Sequence, residues 1–434
     1  MDTYRITGGK PLSGTIEVGG AKNGASKMMI ASLLTDEEVV IRNVPRQRET
    51  AITEEILSTV GASVAWTGEH EVRLRAASVT TASVRALSEK NRLSVLAIAP
   101  LLHRAGEALV PPVGGDRIGQ RPVNFHVDAL RKMGADVEAT ADGFHATING
   151  RLHGALIDLP YPSVGATETA LLAGVLADGR TVIRNAAGEP EIKELIMMLQ
   201  KMGAIIQINS GRSIEIIGVS KLHGCDMAVM PDRIEAASYA SMALGTRGEI
   251  FVKGAEHERL VTFLNSVRKI GGDYRVQDDG ILFSGKGELR GIELETDTHP
   301  GFMTDWQQPF LVVLTQAKGT SVIHETVMEG RLGYTDALKK MGADLTLFTN
   351  CLGELPCRFK EQNYRHSAVV NGPTRLSATE LDVPDIRAGL ALVIAALVAA
   401  GTSTLTNIHH LDRGYERLEE KLKGVGVQIE RVLG

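Results

Sequence analysis

Four polar segments and a group of three arginines interrupt an otherwise aliphatic chain, and their residue types suit the holding of anions and the movement of protons. In GAKNGASKMM, Lys22 and Asn23 precede a helix opened by small residues, whose first backbone N–H groups lack intrahelical partners and can hold an anion. A charged surface cap is the plainer reading of the same wording. Residues 111–126, PPVGGDRIGQRPVNFH, form a glycine-rich loop carrying Asp116, Arg117, Arg121 and His126. Such a loop can fold over a ligand or stand as a solvated hairpin, and its guanidiniums offer bidentate donors to phosphate or carboxylate. SVGATET, residues 163–169, resembles a helix start where Ser163, Thr167 and backbone amides could meet phosphate oxygens. HPGFMTDWQQPF sets Asp305 between a Pro-Gly turn and an apolar helix expected from about Gln307, as either an N-cap or a catalytic base. Arg331, Arg387 and Arg413 each fall at a loop-to-helix junction, where surface salt bridges are the ordinary explanation.

The elements that must position these residues repeat six times. One phrase, a helix-like segment, a small-residue turn and an alternating strand, recurs as ILSTVGASVAW, LRKMGADVEAT, LQKMGAIIQI, VRKIGGDYRV, LKKMGADLTL and LKGVGVQIER. Its turn glycines, Gly61, Gly134, Gly203, Gly271, Gly342 and Gly426, lie 73, 69, 68, 71 and 84 residues apart. Lys132, Lys201, Lys269 and Lys340 close four of the preceding helices, as suits a C-cap with positive φ and a helix dipole that favours cations. A second phrase, an Ala/Leu-rich helix leading to a β-branched strand, has the same period. Units of about 70 residues therefore predict an α/β chain of two lobes with three units each: residues 22–229, and residues 1–21 plus 230–434. An early strand over residues 4–6 could close the last lobe, and the long final spacing locates a surface insertion near residues 350–372. A solenoid is the alternative, but equal stacking would not explain loops that differ so sharply between repeats.

The 434 residues suit two to four domains, with 52 acidic and 47 basic residues giving a formal charge of −5. That balance disfavours non-specific nucleic-acid binding. The apolar run 388–400 is 13 residues long, short of the roughly 20 that cross a bilayer, so no membrane span is expected. MDTYRITGGK has no signal-peptide core, and three cysteines make no disulfide framework, which suits a reducing cytoplasm. Cys351 and Cys357 have His366 nearby, but neither a CxxC pair nor a four-ligand set is visible, so no metal is expected. Walker A, GxGxxG and GxSxG patterns are absent, and no cofactor is expected.

The ordered motifs GGxxLxGxIxVxGAKNxA, RPVxxH, SVGAT, NAAxEPEI, PDRIE, HPxFxTD and HxDRGYERxxxKL run the whole length of the chain. Together they resemble the UDP-N-acetylglucosamine 1-carboxyvinyltransferase family of enolpyruvyl transferases. The resemblance implies two lobes, each an inside-out α/β barrel of three units, with the active site in the cleft between them. It implies phosphoenolpyruvate and UDP-N-acetylglucosamine as partners, phosphate release, and the first committed step of peptidoglycan synthesis. By the same resemblance Lys22 contacts phosphoenolpyruvate and Asn23 the acceptor sugar, while Arg92 and Arg121 surround the phosphate. Arg331, Arg387 and Arg413 hold the carboxylate side, and Arg121, Pro122, Val123, Asn124 and Phe125 line the uridine and diphosphate. Ser163, Val164 and Gly165 match the diphosphate turn, Val327 a sugar contact, and Asp305 the base that removes the sugar hydroxyl proton.

Two departures carry chemical consequences. Asp116 stands where the family usually has cysteine; it can act as acid or proton shuttle but cannot form a thioether with phosphoenolpyruvate. Tyr161 stands where a lysine commonly lies near the diphosphate, and EKNRLSV departs from the usual MRAS wording around Arg92. Rival readings are a different acceptor, such as shikimate 3-phosphate, or a silent UDP-sugar-binding regulator. The LPGSKS and GNAGT wording of the shikimate enzyme is absent, and a mere binding module would have no need of Lys22, Arg121, Asp305 and Arg413 together. Sequence alone leaves the oligomeric state open.

Overall fold

The computed structural model describes residues 2–88, 91–114 and 123–434. Asp116, Arg117, Arg121 and Pro122 lie outside the described residues. The chain forms two compact units, residues 20–114 with 123–230 and residues 2–19 with 231–434, so the first is inserted into the sequence of the second.

In the inserted unit, the helices Lys22–Ala31, Ile98–Ala105 and Val164–Gly174 are largely buried, and three small sheets flank them. In the other unit, Arg233–Gly245, Thr304–Leu314 and Ile386–Val398 pack on one another and bury almost every residue. Helices this apolar all round can form only where no face meets water. The outer helices bury one face: Leu130 and Val127 of Asn124–Lys132 point inward while Arg131 and Lys132 stay in solvent. Each unit is thus an inside-out α/β assembly of three repeats, with helices within and sheets outside. Among the described residues the six sheets remain separate, five of four strands and one of three, each with antiparallel pairs and at most one parallel pair.

Every repeat turns its outer helix into a strand by the same device. The six turn glycines have φ between +83° and +103°. The residue after each glycine donates its N–H to the carbonyl five residues back, as in Ala62 to Leu57 at 3.0 Å and Ala204 to Leu199 at 2.9 Å. This is the Schellman closure, and it satisfies carbonyls that the helix end would otherwise orphan.

Near the C-terminus the strand Gly401–Thr406 pairs in parallel with Glu380–Asp382 and antiparallel with Thr3–Gly8, which also pairs antiparallel with Gln428–Val432. The segment read from sequence as an insertion over 350–372 is shorter than expected. Its last residues form the strand Ser367–Gly372, because SAVVNG pairs on both sides, with Gly319–His324 and Asp344–Phe348. Only about residues 349–366 leave the repeat.

Candidate active site

In the unit containing both chain ends, the helix Thr304–Leu314 begins three residues before the expected Gln307, and Asp305 lies in its first turn. Met303 occupies the cap position without a side-chain cap bond, so Asp305 is not an N-cap. Its carboxylate turns instead to two guanidiniums. Arg331 donates to Oδ1, and Arg387 Nε lies 3.5 Å from Oδ2. Arg331 and Arg387 are only 5% and 6% exposed, so each buried charge needs such a partner. Arg387 also donates to the Tyr415 hydroxyl at 3.0 Å. Burial works against the Arg387 cation, yet Tyr415, Asp305 and Asp232 together hold its pKa above the ordinary arginine value.

A second carboxylate organises this corner. Glu325 is fully buried; one oxygen accepts from the Thr304 hydroxyl at 2.8 Å, and the other from the N–H groups of Val327 at 2.8 Å and Met328 at 3.0 Å. The start of the Asp305 helix and the Val327 turn are thereby tied to one group. Burial raises the Glu325 pKa, against the pull of those hydrogen bonds. Arg358, from the 349–366 segment, donates to the Val327 carbonyl. The Gln308 amide lies between Arg331 and the Thr304 carbonyl, and with its oxygen toward the guanidinium and its nitrogen toward the carbonyl it satisfies both. Arg413 is half-buried just after the short helix His409–Asp412, two residues before Tyr415.

In the inserted unit Lys22 opens the helix Lys22–Ala31, with Nζ 3.6 Å from Glu49, and Asn23 follows it half-buried. Ser163 caps Val164–Gly174 by accepting from the Ala166 N–H at 3.3 Å. Thr167 donates to the Ser163 carbonyl at 2.8 Å and accepts from the Ala187 N–H at 3.0 Å. Both hydroxyls thus serve the fold, which leaves the Val164 and Gly165 N–H groups as the helix-start donors. A Cβ on Gly165 would lie 2.8 Å from the His126 ring, so glycine lets His126 pack against this helix. His126 Nδ1 lies 2.8 Å from the Thr169 hydroxyl. Burial first, and then the Arg92 charge, push the His126 pKa down to about 3, so the ring is neutral near pH 7. Arg92 precedes the turn Leu93–Ala97, Val123 precedes the helix Asn124–Lys132, and Phe125 packs against the core.

Sequence reading missed Glu325 and Tyr415. Aligning the repeats would have flagged Glu325. The strand exits IRN, IRN and LTN end in Asn43, Asn185 and Asn407, all with positive φ, and the same column in VIHE holds Glu325. A carboxylate that breaks a structural column is a functional signal. Next to this corner, His324, Cys351, Cys357 and His366 bring their ligand atoms within 4.8 Å of one another. The fourth group comes from a strand rather than from the insertion, which is why no four-ligand set was visible in the sequence.

The chain matches the EPSP synthase (3-phosphoshikimate 1-carboxyvinyltransferase) family over residues 6–422. It is 47% identical to a UDP-N-acetylglucosamine 1-carboxyvinyltransferase of Protochlamydia amoebophila (strain UWE25), covering 100% of this chain and 95% of that protein. The protein of that name in Chlamydia pneumoniae is 45% identical, over 99% and 95% of the two chains. The chain belongs to the enolpyruvyl transferase family that these proteins represent. Two solved structures share the fold. The enolpyruvyl transferase NikO from Streptomyces tendae superposes with a TM-score of 0.88 at 24% identity, covering 100% and 99% of the chains. An EPSP synthase from Acinetobacter baumannii gives 0.78 at 19% identity, covering all of both.

Proposed function

We propose that the chain transfers the enolpyruvyl group of phosphoenolpyruvate to the 3-hydroxyl of UDP-N-acetylglucosamine, releasing phosphate, as the first committed step of peptidoglycan synthesis. The observation that carries the chemistry is Asp305, a carboxylate held between two buried arginines at the mouth of an apolar helix. Both guanidiniums are also placed to receive the carboxylate of phosphoenolpyruvate beside this base.

The reaction is an addition followed by an elimination. A proton added at C3 of the enol makes C2 electrophilic, and the sugar hydroxyl attacks as Asp305 takes its proton. The tetrahedral ketal then expels phosphate, and the proton gained at C3 is lost to restore the double bond. Asp116 is the acid or proton shuttle in this scheme. Lys22, Arg92, Arg121 and Arg413 offset the charges of phosphoenolpyruvate and diphosphate, a repulsion that must be met before the reactants can approach. Asn23 and Val327 contact the sugar, and Pro122, Val123, Asn124, Phe125, Ser163, Val164 and Gly165 the uridine diphosphate. Residues 22–229 act as one domain and residues 1–21 with 230–434 as the other. The reaction belongs to the cytoplasm, a compartment that suits three unpaired thiols, and it involves neither nucleic acid nor membrane.

Phosphate release with both substrates, compared with each alone and with shikimate 3-phosphate as acceptor, tests this directly. Release only with UDP-N-acetylglucosamine supports the assignment. Release only with the shikimate acceptor would replace the substrate and keep the chemistry.

A further inference from the structure

The segment 349–366 has no counterpart in the other five repeats, and it is long for a connection without regular structure. It nevertheless does not lie loose on the surface. Gly353 is pressed so closely against the sheet that a Cβ there would fall 2.0 Å from Glu295 Oε2 and 2.4 Å from His324 Nδ1. The N–H groups of Glu354 and Leu355 each donate to the Glu295 carboxylate at 2.9 Å.

Beneath this segment four metal-ligating side chains converge. His324 ends the strand Gly319–His324, His366 immediately precedes the neighbouring strand Ser367–Gly372, and both rings are 0% exposed. Cys351 and Cys357 come from the segment above, and the four ligand atoms lie within 4.8 Å of one another. Cys351 Sγ is 3.4 Å from His366 Nε2. A tetrahedral zinc ion with Zn–S near 2.3 Å and Zn–N near 2.0–2.1 Å separates sulfur and nitrogen by about 3.5 Å.

The surroundings orient all of these groups inward. His324 Nδ1 is 2.9 Å from Glu295, and His366 Nδ1 is 2.8 Å from the Tyr364 carbonyl, so each ring is fixed through one nitrogen and aims the other at the cluster. Histidines that ligate metals are held in this way. His324 Nε2 is buried with no hydrogen-bond partner among the described residues, an expensive state for a polar atom. The Phe359 N–H points at Cys357 Sγ from 3.4 Å, a contact that favours a thiolate.

We propose that His324, Cys351, Cys357 and His366 bind one structural Zn²⁺ that clamps the 349–366 segment onto its sheet. Two sulfurs and two nitrogens in a tetrahedral set select zinc over the harder divalent ions. On binding, Zn²⁺ displaces the two thiol protons, leaving a neutral centre of two thiolates and two neutral imidazoles. All four positions are filled by protein, so the ion supports structure and takes no part in the transfer reaction. Its reach extends to the sugar side through Arg358, which belongs to the clamped segment and donates to the Val327 carbonyl.

The test is metal analysis of the full-length protein, loaded with one equivalent of Zn²⁺, gel-filtered and analysed by elemental mass spectrometry. About one zinc per chain is expected, with at least a fivefold loss in Cys351→Ser and in Cys357→Ser. Circular dichroism establishes that these variants are folded. Co²⁺ in place of zinc should give the visible bands of a tetrahedral site with thiolate charge transfer. Glu295→Gln should weaken zinc binding by about 10- to 100-fold, as loss of an orienting partner does. Zinc no higher in the wild type than in Cys351→Ser would overturn the proposal. So would an octahedral cobalt spectrum, or an intact mass two hydrogens low from a Cys351–Cys357 disulfide.

Discussion

Asp305 sits against Arg331 and Arg387, so its removal leaves two buried cations without this carboxylate and, on the proposed mechanism, a reaction without its base. Asp305→Ala is expected to lower kcat by at least about 10²-fold, the scale of a lost general base. Steady-state kinetics with both substrates checks this, and unchanged turnover would remove Asp305 from the mechanism. The loop carboxylate makes a second prediction. Fosfomycin is an epoxide that inactivates cysteine-bearing relatives by alkylating the loop thiol, and Asp116 is a far poorer nucleophile than a thiolate. Cys225 offers no substitute, because burial pushes its thiol up to about 11. The wild type should therefore keep its activity on prolonged exposure, while Asp116→Cys should lose it with time and gain a covalent adduct on that residue. Inactivation of the wild type, located by peptide mapping, would contradict this. At this scale the sequence shows its charged loops but not its buried partners. Asp305, Arg331 and Arg387 stand out because each interrupts an apolar pattern. Glu325 stands out only once the repeats are aligned column by column, and even then nothing in HET says that its oxygens will meet the Thr304 hydroxyl and two backbone amides across the fold.

The outer-helix turns separate two costs that glycine avoids. Gly203 has φ near +103°, and an added Cβ would meet only His223 at an ordinary 3.5 Å, so Gly203→Ala should cost about 1–2 kcal/mol from backbone strain alone. Gly61 has similar backbone geometry, but a Cβ there would lie 2.5 Å from the Thr80 hydroxyl and 2.7 Å from its methyl. Gly61→Ala should therefore cost measurably more. Both glycines belong to the inserted unit, so urea unfolding of the two variants reads one transition, and equal midpoints would refute the distinction. These turns were legible because a positive-φ glycine after a basic helix end is a local signal that recurs at fixed spacing. The strand Ser367–Gly372 was not, because its pairing with two distant strands lies behind a segment foreign to the repeat. The start of the Asp305 helix was misplaced for a related reason. A capping aspartate and a first-turn aspartate look alike until Arg331 and Arg387 are seen to draw the side chain away from the backbone.

Across the whole molecule, buried titratable groups set opposing pH limits. Burial raises the Glu168 pKa to about 7, with Lys27 opposing and Glu191 and Glu189 adding to the shift. The folded chain then retains a proton that an ordinary glutamate loses near 4.5. This contribution is complete below about pH 4.5 and is lost as pH rises to about 7, on the order of 3 kcal/mol. His126 acts in the other direction: its pKa falls from 6.5 to about 3, so stability is lost as pH drops below 6.5. Glu168→Gln, neutral at every pH, should raise the melting temperature at pH 8 and change it little at pH 4.5. Equal shifts at both values would show that Glu168 is not the titrating group. The pairing of Thr3–Gly8 between Gly401–Thr406 and Gln428–Val432 carries a different consequence, one of time. A ribosome adding roughly 5–20 residues per second needs on the order of 20 to 90 seconds to pass from the first of these strands to the last. Throughout that interval Tyr4 and Ile6, buried in the finished protein, wait without the strands that will cover them, and residues 20–230 are complete by about its midpoint. The inserted unit can fold as it emerges, whereas the unit that receives it must wait for the strand Gln428–Val432, and the nascent strand Thr3–Gly8 is the segment whose exposure a chaperone would have to shield.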